Sequence, residues 1–295
     1  MTQSSAYQQL FDTFAAHGLK LPEEFKEKIS ARINHVLSYE PLVGVFGKTG
    51  AGKSSLCNAV FGQDICPISD VGACTRQAQE VKLGIGQKGM KLLDVPGVGE
   101  STARDDEYDR LYQQLLPKLD LVLWVIKADD RALASDEGFY KRLVKPYMEA
   151  GKPFFIVLNQ VDKVEPFREW DEQVRHPGPK QAANIEEKRR NVAGFFGLPL
   201  EQVLAVSANE RYGLVELVDR VIHALPKDKR VAVLREVVED YRSENARQET
   251  SRGFLQTVLE TVIELAPVLS VVAKPLMNLG GKFIGAIGSF LRRFF

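Results

Sequence analysis

Between an apolar run, Leu42 to Phe46, and a helix-like run, Ser55 to Phe61, the chain reads GKTGAGKS over Gly47–Ser54. This octapeptide matches GxxxxGK[ST] and limits the fold more than any other stretch. A strand must deliver the loop, and a helix must leave it with its N-terminus facing an anion. From Gly47 through Lys48, Thr49, Gly50, Ala51 and Gly52, glycines let backbone amides converge on a phosphate. Lys53 then neutralises phosphate oxygens, and Ser54 offers a hydroxyl to Mg²⁺. The bland reading is a glycine turn before a helix. The strand–loop–helix context argues against it.

The remaining pattern agrees with such a loop. Short apolar runs at Leu42–Phe46, Glu80–Ile85, Met90–Asp94, Leu119–Ile126, Phe154–Leu158 and Val203–Val206 alternate with helical stretches near 53–61, 104–116, 136–149, 184–196 and 213–224. The alternation predicts an α/β fold, a mostly parallel six-stranded sheet. Gly86-Gln87-Lys88-Gly89 is too short for a crossover helix, so the second and third strands are expected to pair as an antiparallel hairpin. Residues 1–38 read as helical, with a start at Pro22-Glu23-Glu24. Residues 164–183 read as an irregular, charged surface insertion. From Lys227 to Gly253, 13 of 27 residues are charged, which predicts one long solvated helix. The expected organisation is a helical segment over 1–39, a phosphate-loop domain over 40–226 and a helical region over 227–295.

Composition narrows the function classes. The 295 residues carry 39 Lys plus Arg against 39 Asp plus Glu, so global charge argues against a dedicated nucleic-acid binder. Cys57, Cys66 and Cys74 form no disulfide framework and no paired metal spacing. The N-terminus has no basic region followed by an apolar stretch, so a cytoplasmic protein is expected.

Four further segments choose the nucleotide. Asp94-Val-Pro-Gly97 ends an apolar strand: its carboxylate suits a metal held through water, and the Gly97 amide suits a γ-phosphate. Thr75 lies between the first loop helix and the second strand, where a threonine closes on Mg²⁺. Asn159-Gln160-Val161-Asp162 ends a later strand. Its carboxylate can accept from guanine N1 and N2, which adenine cannot supply. Ser207, Ala208 and Asn209 end the last strand and can place an amide on the guanine oxygen. Each segment is weak alone. All lie in order at strand ends or in their loops, where ligands of such sheets bind.

The set resembles the translation-factor-type GTPases in the Era-like and septin/AIG1-like range. GKTGAGKSSLCNA, the CTR around Thr75, DVPGVGES and LDLVLWVIKADDRAL are similar to bacterial, often prophage-associated, YfjP-like GTPases. The resemblance covers Pro41 to Pro226 and implies Mg²⁺-dependent GTP binding and hydrolysis to GDP. It implies that Lys53, Thr75 and Gly97 serve catalysis, that Ser54, Thr75 and Asp94 serve the metal, and that Ser55 touches the α-phosphate. Thr75 would belong to switch I, and Asp94 and Gly97 to switch II. Asn159 and Asp162 would read the base. Three residues depart from the pattern. Gln160 replaces the lysine of NKxD. Gly50 stands where potassium-activated relatives carry asparagine, so no potassium activation is expected. Val98 stands where small signalling GTPases carry a water-orienting glutamine, which predicts slow unaided hydrolysis.

Other candidates carry less. Asp129, Asp130 and Asp136 suit a solvated loop and helix cap better than a metal site. His17, His35, His176 and His223 lack ligand spacing. Trp170, in the insertion, could serve a partner, a lid or local packing. Gly285-Ala-Ile-Gly288 has the spacing of a nucleic-acid-clamping GxxG, but its middle is apolar, no strand precedes it and too little chain follows.

The tail, 254–295, turns apolar. From Leu265 onward it has no acidic residue, while Lys274, Lys282, Arg292 and Arg293 are basic. Leu276, Leu279, Phe283, Ile287, Phe290 and Phe294 recur at helical spacing. Pro267 and Pro275 break any spanning helix. Two destinations stay open for the apolar stripe: a membrane surface or protein partner, or the chain's own helices. The expectation is a GTP/GDP switch, with a homodimer across the nucleotide site as one route to faster turnover. Its location would be cytoplasmic, or peripheral at the inner membrane face. The rivals are a P-loop ATPase and a nucleotide-stabilised scaffold with negligible turnover.

Overall fold

The computed structural model describes residues 3–62, 79–83, 90–94, 113–130, 133–265, 267 and 281–292. Among the described residues, six strands form one sheet: β1 Leu42–Phe46, β2 Gln79–Leu83, β3 Met90–Asp94, β4 Leu121–Lys127, β5 Phe154–Asn159 and β6 Val203–Ala205. Their order is β2-β3-β1-β4-β5-β6. All neighbours are parallel except β2 and β3, which pair antiparallel from Gln79↔Asp94 to Leu83↔Met90. The short link between those two runs foreshadowed this hairpin.

β4 shows why the central runs are apolar throughout. Leu121, Leu123 and Val125 face one core, with Leu56, Val60, Leu217 and Val221, while Val122, Trp124 and Ile126 face the other, with Phe154, Tyr140 and Phe196. A strand covered on both faces keeps its period of two but loses the polar half of the alternation. The covering helices are α3 Lys53–Phe61, α4 Ala134–Phe139, α5 Lys145–Glu149, α6 Pro179–Phe196 and α7 Leu214–Ala224, with a π-turn over Tyr140–Val144 joining α4 to α5. α6 begins earlier than the helical pattern suggested. Pro179 fits its first turn, where no amide donor is needed.

A third core lies outside the sheet. It joins α1 Gln3–Ala16 and α2 Glu23–Ser38 with α8 Arg230–Glu236, α9 Glu244–Leu265 and α10 Gly281–Leu291. Leu10, Phe14, Ile29 and Ile33 from the start of the chain pack with Phe254, Leu255, Val258, Ile287 and Phe290 from its end. The single solvated helix expected over 227–253 is corrected here. α8 stops at Glu236, a short turn covers Glu239–Tyr241, and α9 restarts at Glu244. Val231, Ala232, Val233 and Leu234 are fully buried. Charge density misled because many of the charges are paired: Arg230 with Glu249, Arg235 with Glu236 and Arg247 with Glu239.

The apolar stripe of the tail is packed inward where it is described. Ile287, Phe290 and Leu291 are buried, and the Phe290 ring lies 5.7 Å from Phe254 and 6.1 Å from Tyr7. Leu276, Leu279 and Phe294 lie outside the described residues. Among the described residues, no helix is long and apolar enough to cross a membrane.

The bundle is joined to the sheet at the amino ends of β1 and β4. Asp120, 3% exposed, accepts from Tyr39 Oη at 2.9 Å and from the Leu42 amide at 2.9 Å, and is ion-paired with Lys229. Arg235 donates to the carbonyls of Leu37 and Tyr39 at 2.7 and 3.1 Å.

Candidate nucleotide site

The GKTGAGKS loop leaves the carboxyl end of β1 and enters α3 at Lys53. Gly47 and Gly52 have φ of 136° and 85°. A Cβ on Gly47 would lie 2.1 Å from the Val125 carbonyl oxygen, and one on Gly52 would lie 2.4 Å from Asn159 Nδ2. Both positions therefore require glycine for conformation and for space. Lys53 Nζ donates to the carbonyls of Gly47 at 2.9 Å and Lys48 at 3.3 Å, so its ammonium lies over the loop.

Asn159 ties three segments together. Its Nδ2 donates to the carbonyls of Ala51 and Gly52 at 2.9 and 3.4 Å, and its Oδ1 accepts from the Ala208 amide at 3.1 Å. The side chain is 1% exposed, and both of its polar ends serve the protein. Gln160 holds a left-handed conformation, φ 63°, and its Nε2 donates to the Gly50 carbonyl at 2.9 Å. An amide on a two-methylene stem thus tethers the loop from the position where NKxD has lysine. Lys163 donates to Gln160 Oε1 at 2.9 Å.

Asp162 follows on a short 3₁₀ turn, Val161–Lys163. Its Oδ1 is buried and has no protein hydrogen-bond partner. Its carbonyl is held by Gln181 Nε2 at 2.9 Å, and the same nitrogen reaches the Val164 carbonyl at 2.9 Å. Gln181 is fully buried on α6. Glu169, within the insertion, accepts from the Lys180 and Gln181 amides at 2.9 and 3.2 Å and so caps that helix. Part of the stretch read as an irregular insertion therefore braces the Asp162 turn. A groove of about 740 Å³ beside Asp162 is lined by Lys163, Phe167, Trp170 and Glu210. Trp170 packs edge-on against Tyr212 at 5.5 Å.

The structure brings together the phosphate loop (Gly47–Ser54, with Ser55), Asn159, Asp162 and Ser207–Asn209. Asp94 ends β3, and only its backbone is described. Thr75, Gly97, Val98, Cys66 and Cys74 lie outside the described residues. One link escaped the sequence reading. Lys48 pairs with Asp130 at 3.2 Å and Asp136 at 2.8 Å. Burial alone would lower the Lys48 pKa, but bonding and attraction to Asp136 and Asp130 raise it above the ordinary lysine value. Asp136 is 2% exposed and accepts from Trp124 Nε1 at 3.1 Å, so the solvated-cap reading of this residue is corrected. Among the described residues, no cluster of His, Cys, Asp or Glu is suited to hold a metal ion. Ser54, in the first turn of α3, offers one hydroxyl oxygen beside the phosphate loop. That fits magnesium, which keeps several waters and binds through few protein oxygens.

The profile of the 50S ribosome-binding GTPase family matches residues 42–160, which run from β1 to Gln160. YkfA of Escherichia coli (strain K12), an uncharacterized protein, is 41% identical over 238 residues, 81% of this chain and 80% of its own. YfjP of the same strain, also uncharacterized, is 40% identical over 259 residues, 85% of this chain and 88% of its own. Among solved structures, an Aquifex aeolicus Era variant bound to GDP·AlF4⁻ is 25% identical, with a TM-score of 0.47, covering 63% of this chain and 56% of that one. The chain belongs to the GTP-binding P-loop GTPase family, in the group that includes YfjP and YkfA.

Proposed function

We propose that this chain is a guanine-nucleotide switch that binds Mg·GTP and hydrolyses it slowly to GDP. The observation that carries this reading is the Asn159 staple: it joins the phosphate loop to the Ala208 amide, with the Asp162 carboxylate three residues away. Loop amides and Lys53 would bind the β- and γ-phosphates, and Ser55 the α-phosphate. Asp162 would accept from guanine N1 and N2, leaving Asn159 and Gln160 to hold the loop against the base-reading strand end. When bound, magnesium supplies positive charge at the phosphate oxygens, with Ser54, Thr75 and Asp94 as its protein side. The Val98 side chain offers water no hydrogen bond, so faster turnover would draw on a partner, a second copy across the nucleotide site or a polar group in switch I. Output would pass from Thr75 and Gly97 to the helices of 1–39 and 227–295, outside a GTPase domain over 40–226.

Nucleotide competition tests the proposal. GDP and GTP should displace a fluorescent GDP, while ADP and ATP should not. Equal displacement by adenine nucleotides would favour a P-loop ATPase. Binding without any turnover, even at high protein concentration, would favour the scaffold. The packing of Ile287 and Phe290 supports an intramolecular place for the tail. Nucleotide-dependent flotation of the full chain with anionic liposomes would count against that place.

A further inference from the structure

Lys48 is the second residue of the phosphate loop, and it has two roles in one network. Its carbonyl accepts from Lys53 Nζ at 3.3 Å, beside the Gly47 carbonyl at 2.9 Å. Its ammonium pairs with Asp136 Oδ2 at 2.8 Å and Asp130 Oδ2 at 3.2 Å. The Asp136 side chain is 3% exposed, and its other oxygen accepts from Trp124 Nε1 at 3.1 Å. Trp124 is itself buried on β4 and stacks on Phe46, the last residue of β1, at 5.9 Å. Asp130 is fixed from the far side, because its carbonyl accepts from Lys188 of α6 at 2.7 Å.

We infer that Asp136 is a positioning residue for nucleotide binding, acting through Lys48 to set the carbonyls on which Lys53 rests. The inference depends on the guanine-nucleotide reading above. A loop built on glycines has little side-chain packing of its own to hold its shape. A buried carboxylate with a fixed indole donor is a stiff anchor, and its Oδ2 lies 2.8 Å from the Lys48 ammonium as an ion pair. Lys48 thus anchors its own main chain, and its charge is spent on Asp136 and Asp130. The phosphate-facing cation assigned by the motif remains Lys53. Asp136 touches no substrate in this scheme. The bland alternative is an ion pair that merely stabilises the β4–α4 loop.

The test measures fluorescent GDP and a fluorescent non-hydrolysable GTP analogue on the full chain, together with single-turnover GTP hydrolysis. Asp136→Asn should weaken binding of the analogue about tenfold and slow hydrolysis. Lys48→Met should do the same, and adding Asp136→Asn to it should cost no further affinity, as members of one relay require. Lys48→Arg, which keeps the ion pairs, should recover most of the affinity lost in Lys48→Met. If Asp136→Asn fails to fold, the Lys48→Met and Lys48→Arg pair decides the matter. Variants that lose thermal stability yet bind and turn over within about twofold of the wild type would overturn the inference. Additive losses in the double variant would overturn it too. Wild-type protein that binds neither nucleotide would overturn the functional reading and this inference together.

Discussion

Gln160 Nε2 donates to the Gly50 carbonyl oxygen at 2.9 Å, across 110 positions of sequence. The residue that departs from NKxD therefore still reaches the phosphate loop. Its hydrogen bond lies at the surface, where a net contribution of about 1 kcal/mol is ordinary. Gln160→Ala should therefore weaken GDP binding by roughly three- to tenfold without changing base preference, as calorimetry would read. A loss beyond about a hundredfold would mean that Gln160 does more than tether the loop.

Asp162 is held differently. Its backbone is braced by Gln181, and its Oδ1 has no protein donor. Asp162→Asn should reverse the donor–acceptor match and shift preference from GTP to XTP by at least about a hundredfold. Competition against fluorescent GDP and XDP would measure it. Unchanged preference would place base reading elsewhere.

At the sheet–bundle joint, Arg235 and Glu236 are buried together, with Arg235 Nε 2.6 Å from Glu236 Oε1. Burial holds the Glu236 carboxyl above its ordinary pKa, although the Arg235 charge pulls it down. Arg235→Met would strand the carboxylate and should cost about 3–5 kcal/mol at neutral pH. The Arg235 attraction would be gone and only that of Arg242 would remain, so the folded pKa would rise further. A carboxyl whose folded pKa exceeds its unfolded value gains stability as pH falls through that folded value. The variant's deficit should therefore shrink from pH 8 towards pH 5 in urea titrations. A deficit that grows on acidification would contradict this assignment.

The bundle makes its own prediction. Phe290→Ala removes a ring packed against Phe254 and Tyr7 and should cost about 3–5 kcal/mol. Urea denaturation would show it. A cost below about 1 kcal/mol would mean that α10 leaves the bundle in solution, which would return the tail to the membrane or partner reading.

The sheet was legible because its strands are continuous apolar runs and GKTGAGKS fixes where β1 ends and α3 begins. The segments at Asn159 and Ser207 were legible for the same reason: each lies at or just past the end of a strand. Lys48–Asp136 was not, because periodicity cannot tell a buried, indole-bonded aspartate from a helix cap. Nor was the break after Glu236. Charge density suggested solvent, whereas paired arginines and glutamates cover fully buried valines. The staple role of Asn159 was half legible. The motif named the residue and assigned it to the base, and geometry adds ties from its side-chain amide to Ala51 and Ala208.

The third core draws its helices from both sides of the sheet domain, which has a consequence for synthesis. α1 and α2 carry Leu10, Phe14, Ile29 and Ile33, but the residues that cover them on α9 emerge from the ribosome roughly 200 positions later. At ordinary elongation rates that is a wait of about 10–40 s. Throughout it, the intervening sheet can fold while two amphipathic helices stay uncovered. The newborn chain is therefore stickiest along α1 and α2 until α9 has emerged to cover them.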